Sequence, residues 1–329
     1  MPKKTNLLEE RIVYKPFEYP QAFDYWMKQQ QAHWLHTEVP MMSDINDWKQ
    51  NLNETEKNII GSILKGFAQT ETVVNDYWTG LVTKWFRKPE VIAMATTFGA
   101  METIHAEAYS LLNEELGLDD FSEFLEDETT MAKIETLMNV RDSFDGEVDW
   151  HERAKSLAIF SAFTEGVNLF SSFAVLLSFK MRNKLKGVGQ IVEWSIRDES
   201  MHSEAGCWLF RTLLEENPHL KTPELEASIN EAALLSLQLE LDFIEKVYEL
   251  GDLEGCSKYD LQNFIKNRVN TKLADLGYNP IILDVDMTAV KNMKWFDSLS
   301  AGKQHTDFFA NRVTNYSKGH LEWDSTSIF

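Results

Sequence analysis

Cysteine is nearly missing from this chain: Cys207 and Cys256 are the only two in 329 residues. They form neither a C-x-x-C pair nor a disulfide framework. This excludes a stapled secreted scaffold and any chemistry that needs the chain's own redox dithiol, so a reducing, cytoplasmic setting is expected. Glycine (15) and proline (8) are also sparse. Long stretches rich in Leu, Ala, Glu, Lys and Met run between them, as in helical proteins. Basic residues number 32 against 52 acidic ones, for a net charge of -20. That balance argues against nucleic acid or an anionic membrane as partner, since both require a basic face. No apolar run approaches the ~20 residues of a membrane span, and the opening Met-Pro-Lys-Lys-Thr-Asn lacks the apolar core of a signal peptide. What remains is an all-α protein that meets small molecules or protein partners and is long enough to bury a substantial core.

The chain divides into an extended arm over about 1–20, helical patterns to about 300 forming a single domain, and a flexible aromatic-bearing tail over 301–329. Residues 21–37 read as a helix with Phe23, Trp26, Met27 and Trp34 as its apolar members. Asn53 is placed to cap a long helix, with Glu54 and Glu56 suiting its first turn. Pro89 suits the first turn of the next, which Gly117 closes. Residues 119–149 suggest a shorter helix and surface loops. Helical runs continue over about 153–186, after Gly187 and Gly189, over 223–250 and over 259–276.

Four of these runs share an anomaly. The stripe Ile60, Ile63, Phe67, Val74, Trp78, Leu81 has one gap, which Glu71 fills. In the run from residue 89, Met94, Phe98, Met101, Glu102, His105, Tyr109 and Leu112 share a face, so Glu102 and His105 lie one turn apart on an apolar stripe. Glu165 interrupts a third stripe, and Glu199 and His202 repeat Glu-x-x-His on a fourth. Burying carboxylates is costly unless something compensates them, and Glu oxygen and His nitrogen projecting side by side are good metal ligands.

Thirty-one residues separate Glu71 from Glu102, and 34 separate Glu165 from Glu199. Each interval allows one helix, a turn and a return along an antiparallel neighbour. Glu, Glu-x-x-His, Glu, Glu-x-x-His across four helices is the ligand order of ferritin-like di-iron and di-manganese carboxylate bundles. Four carboxylates balance two divalent ions with both histidines neutral. The expected fold is a ferritin-like four-helix-bundle core with additional helices, and the expected cofactor is two metal ions per chain. Tyr109, one turn after His105, is a candidate radical carrier, and Asp198, beside Glu199, a candidate acceptor orienting His105.

These residues carry a family resemblance. Trp34, Glu71-Thr-Val-Val-Asn75, Glu102-Thr-Ile-His105 with Tyr109, Thr164-Glu165-Gly166, Arg197-Asp198-Glu199-Ser-Met-His202 and Phe308-Phe309-x-x-Arg312-Val313-x-x-Tyr316 resemble the small, radical-generating subunit of class I ribonucleotide reductases. The likeness runs from about Trp26 to the C-terminus. It implies a dimetal site that stores an oxidising equivalent and passes it to a cysteine of a separate large subunit, where ribonucleoside diphosphates are reduced to deoxyribonucleotides. It further implies a route through Trp34, Asp198 and His105, a relay at Tyr316, docking of the tail on the large subunit, and a homodimer.

One position departs from most of the family. Glu71 stands where Asp is usual, which is similar to subgroups with manganese-containing centres, Mn/Mn or Mn/Fe, rather than Fe/Fe. In these the metals hold the oxidising equivalent, and an activating flavoprotein is a further expected partner. The alternatives are a dimetal oxidase or hydroxylase of the same superfamily, which would need an open apolar channel and no transfer tail, and a ferritin-like metal-binding protein.

Overall fold

A computed structural model of the chain describes residues 5–118, 128–142 and 149–300. The proposed tail, with Tyr316, lies outside the described residues, as does part of the acidic segment 119–149. Among the described residues the secondary structure is helical, with no strand.

The arm is held down at its start: Leu7 is fully buried and its amide donates to Glu216 Oε2 at 2.7 Å. Helix α1 (Pro20–Gln31) comes next, then α2 (Met42–Asn46) and α3 (Glu54–Asp76). Asn53 caps α3 reciprocally, its side chain accepting from the Glu56 amide at 2.8 Å while its own amide donates to Glu56 Oε2 at 3.1 Å. A π-helical turn (Tyr77–Val82) leads through the short α4 (Thr83–Trp85) to α5 (Pro89–Leu116). That helix opens on Pro89 and closes on Gly117 at φ 71°, a left-handed cap that glycine adopts freely. Then come α6 (Glu128–Asp142), α7 (Trp150–Ile159), a further π turn (Phe160–Thr164), α8 (Phe170–Met181) and α9 (Lys186–Glu216). The outer helices are α10 (Pro223–Glu249), α11 (Lys258–Leu276), α12 (Met287–Asn292) and α13 (Lys294–Ser300).

The core is a bundle of α3, α5, the α7–α8 run and α9. The first two pack along one another, α9 packs on α5, α7 and α8, and α1 crosses α5 and α9. Apolar residues from all of these merge into one buried cluster. Among the described residues no helix is long and apolar enough to cross a membrane.

Three expectations need correction. The helix read over 21–37 stops at Gln31, so Trp34 lies outside it; no Gly or Pro ends α1, and the chain beyond it carries Trp34 inward to a buried bond with Asp198, a tertiary contact that helix propensity does not register. The single run over 153–186 is two helices separated by the π turn and by residues 165–169, which leaves Glu165 on a break rather than a helix face. Gly187 and Gly189 sit inside the first turns of α9 instead of preceding it.

The start of α9 is capped from far away in sequence. Fully buried Asp44 accepts from the amides of Gly187 (3.0 Å) and Val188 (2.8 Å), satisfying donors that the residues just before the helix leave free. A Cβ on Gly187 would lie 2.8 Å from Met41 Sδ and 3.0 Å from Asp44 Oδ2, so glycine is what lets the carboxylate approach. Asp44→Ala is expected to lower the unfolding free energy by about 1–3 kcal/mol, the cost of stranding buried donors, read as a lower urea midpoint. An unchanged midpoint would show that water replaces the cap.

Candidate metal centre

Helices α3, α5 and α9 and the break after the Phe160–Thr164 π turn each aim side chains at one point in the bundle. Glu71 comes from α3, Glu102 and His105 from α5, Glu165 from the break, and Glu199 and His202 from α9; all six are buried. The π turn matters locally. Its wide i to i+5 bonding, with the Glu165 amide on Phe160 O at 3.0 Å, inserts a residue relative to α geometry and re-aims the side chains after it. Gly206, one turn beyond His202, permits this close approach, since a Cβ there would fall 2.5 Å from that of Ser161.

Two overlapping groups of potential ligand atoms result. In the first, Glu71, Glu102, His105 and Glu199 offer atoms all within 4.8 Å of one another; in the second, Glu102, Glu165, Glu199 and His202 do the same. Glu102 and Glu199 belong to both. Glu102 Oε2 is 3.0 Å from His105 Nδ1 and Oε1 is 2.8 Å from His202 Nδ1. Glu199 Oε1 is 2.9 Å from His105 Nδ1.

The electrostatics call for cations. Burial, reinforced by the charge of Glu102, pushes Glu71 well above the usual carboxylate range and Glu199 up to about 8. Glu165 is raised by burial and by Glu199. Burial would raise Glu102 too, but His202 and His105 more than offset it and hold it at about 2. Four acids that cannot all ionise alone, beside two histidines, can all ionise around two divalent ions. No donor reaches either oxygen of Glu71 or Oε2 of Glu165 among the described residues. Buried polar atoms without partners are what a metal would satisfy, and carboxylate and imidazole are suitable donors for iron or manganese. The residues fit a dinuclear metal site.

Behind the cluster, His105 Nε2 is 3.2 Å from Asp198 Oδ2, and the indole of Trp34 donates to the same oxygen at 2.8 Å. Trp34, 2% exposed, also stacks on His105 with ring centroids 5.6 Å apart. Tyr109 is fully buried with its ring edge-on to Phe67 at 4.7 Å. Its hydroxyl makes no well-formed hydrogen bond among the described residues. Burial, with the Glu71 charge adding to it, holds the phenol protonated far above the ordinary tyrosine range.

Two contributors escaped the sequence reading. Trp78, in the Tyr77–Val82 π turn, donates to Glu165 Oε1 at 2.5 Å. Gln29 on α1 is fully buried and bonds both Asp198 and His202. Ala22, Tyr25 and Gln29 are the buried face of α1, so a polar residue interrupting a stripe, the sign that located Glu71, was present there as well.

Comparison with known proteins agrees with the geometry. The family model for the ribonucleotide reductase small chain matches residues 11–284. The probable ribonucleoside-diphosphate reductase small subunit of invertebrate iridescent virus 3 is 35% identical, over 98% of this chain and 88% of its own. Among solved structures, the putative class I ribonucleotide reductase of Bacillus halodurans superposes with a TM-score of 0.78 at 20% identity, covering 85% of this chain and 99% of that one. The dimanganese(II)-NrdF of Streptococcus sanguinis gives 0.73 at 22% identity, covering 87% and 99%. These two establish the ferritin-like helical fold, and the family match extends over most of the chain. With its buried carboxylate and histidine cluster framed by that bundle, the chain belongs to the ribonucleotide reductase small-chain family.

Proposed function

We propose that this small subunit of ribonucleoside-diphosphate reductase holds one metal ion with Glu71, Glu102, His105 and Glu199 and a second with Glu102, Glu165, Glu199 and His202. The observation that carries the assignment is the pair of buried ligand groups sharing Glu102 and Glu199. When bound, the metal pair supplies the store of oxidising equivalent that the large subunit draws on. A manganese-containing centre, Mn/Mn or Mn/Fe, is favoured over Fe/Fe because Glu71 replaces the family's usual Asp.

The protein's own residues carry the connection outward. Asp198 accepts from the Trp34 indole at 2.8 Å, so a proton at Trp34 Nε1 has a receiving oxygen in place if the ring gives up an electron. Asp198 is kept ionised against the burial that opposes it, mainly by its bond to His105. Tyr109 is shut off from solvent, with Phe67 packed edge-on against it and backed in turn by Phe173 at 5.4 Å. Tyr316 is the proposed relay towards the large subunit, and the tail its docking segment. A homodimer, activation by a flavoprotein and a cytoplasmic setting complete the reading.

Assembly with manganese, with iron and with both, each assayed with the large subunit while its electron paramagnetic resonance spectrum is read, tests the metal preference. Turnover should be highest in a manganese-containing form, and Tyr109→Phe should keep most of it. Turnover confined to the two-iron form, with a tyrosyl signal that Tyr109→Phe abolishes together with activity, would overturn both the metal choice and the subordinate place given to Tyr109.

A further inference from the structure

Gln29 is a neutral side chain in the middle of an ionic site. It is fully buried, and both ends of its amide are used: Nε2 donates to Asp198 Oδ1 at 3.1 Å, and Oε1 lies 3.1 Å from His202 Nε2. The histidine that Asp198 contacts directly is the other one, His105, through Oδ2. Gln29 therefore closes a chain from His105 through Asp198 to His202. It starts on α1, outside the four core segments.

The direction of every bond in this chain can be deduced. An indole nitrogen only donates, so Asp198 Oδ2 accepts from Trp34. A carboxylate offers acceptors, so the end of Gln29 facing Asp198 is its NH2 group. The end facing His202 is then the carbonyl oxygen, which can only accept. His202 must carry a hydrogen on Nε2, so in the neutral form that binds a metal it is Nδ1, on the side of Glu102 at 2.8 Å, that keeps the lone pair. Asp198 imposes the same choice on His105, whose Nδ1 faces Glu102 and Glu199. An acceptor behind a metal-binding imidazole fixes its tautomer and its ring orientation.

We propose that Gln29 is a positioning residue that selects the Nε2–H tautomer of His202 and links that ring to His105 through Asp198, so that α1 sets the ligand geometry of the second metal position. The inference rests on the metal-site reading above. It goes beyond it in assigning the two metal positions different supports: His105 is oriented by a carboxylate, and His202 by an amide that the same carboxylate orients.

Full-length Gln29→Met keeps the length and the apolar stem but can neither donate nor accept. Loading with zinc, which is diamagnetic, allows two readouts: stepwise affinities from competition with a chelator, and solvent protection of the histidine ring N–H protons by nuclear magnetic resonance. In the unaltered chain two zinc ions and two protected Nε2–H protons are expected. Gln29→Met should weaken the site containing His202 by about 10- to 100-fold, the usual cost of losing such a supporting bond. The His202 N–H should lose its protection, while the site containing His105 changes much less.

Equal weakening at both sites would mark a general packing role and overturn the proposal, as would unchanged binding with the His202 proton still protected. Gln29→Glu provides a second test should the methionine variant not fold. It keeps an acceptor for His202, so the protected Nε2–H should persist, and its loss there would overturn the proposal. Failure of the unaltered chain to take up two zinc ions would count against the metal reading itself, a result distinct from any of these.

Discussion

Glu102→Ala is expected to strip both metal ions from the chain and to abolish turnover with the large subunit. Of the six clustered residues, Glu102 contacts both imidazoles, at 3.0 Å and 2.8 Å, and is one of the two acids common to both ligand groups. Losing a residue that merely supports a ligand weakens a site by about 10- to 100-fold. Losing a ligand shared by two ions should therefore exceed about 100-fold at each. Glu71→Ala removes a ligand from the first group alone. It should weaken one ion strongly and spare the other, so metal counts read by elemental analysis would separate the two variants. Two metals per chain in Glu102→Ala, with turnover near that of the unaltered protein, would contradict the shared role.

Charge gives the same ranking. Burial opposes protonation of His105 and His202, yet Glu102, joined by Asp198 and Glu199 at the first and by Glu165 and Asp198 at the second, outweighs it and both histidines are raised. Removing it withdraws the main counter-charge from both rings. Glu102→Gln keeps the shape but loses the charge, and its metal content should fall between those of Glu102→Ala and the unaltered chain.

The cluster was legible in the sequence because each of its members breaks a pattern. Glu71, Glu102, His105, Glu199 and His202 stand on stripes whose other positions are mostly apolar or small, and burial without compensation is costly enough that several such breaks in matching order point to a common solution. Glu165 was found by the same reasoning although its local structure was misread: the π turn carries neither proline nor glycine, and Gly166 and Asn168 in the break after it are isolated residues of a kind that helices also tolerate. Long helices with strong caps, such as α3 from Asn53 and α5 from Pro89 to Gly117, were read to within a residue or two. Helices α12 and α13 are too short for a periodic pattern to register and were not anticipated. Asp44 and Gln29 were missed for a different reason. Each acts on α9, more than a hundred residues further along the chain; that long contact leaves no local pattern around Asp44, and around Gln29 only the single polar break in the α1 stripe, which does not name its partner.

Trp34→Phe is the second substitution expected to have a large effect, and its size discriminates between two roles for the indole. The variant keeps an aromatic ring to stack on His105, whose centroid lies 5.6 Å away, but cannot donate to Asp198. As Trp34 touches none of the six clustered side chains through its nitrogen, metal content should be unchanged. If the indole served only as a hydrogen-bond donor, the loss would be that of one bond to a charged group, about 1.5–3 kcal/mol, or a fall in turnover of about 10- to 150-fold. A ring that itself passes the electron has no substitute in phenylalanine, which is much harder to oxidise and has no N–H to release to Asp198. Turnover should then fall well beyond that range while the metals remain. Asp198→Asn supplies the complementary case: it keeps Trp34 but weakens the acceptor for the indole proton, and also disturbs His105 and, through Gln29, His202. Its defect should include weaker metal binding, which Trp34→Phe lacks. A Trp34→Phe protein with full metal content and a loss inside the single-bond range would reduce Trp34 to a donor that steadies Asp198, and the route outward would have to leave the cluster elsewhere.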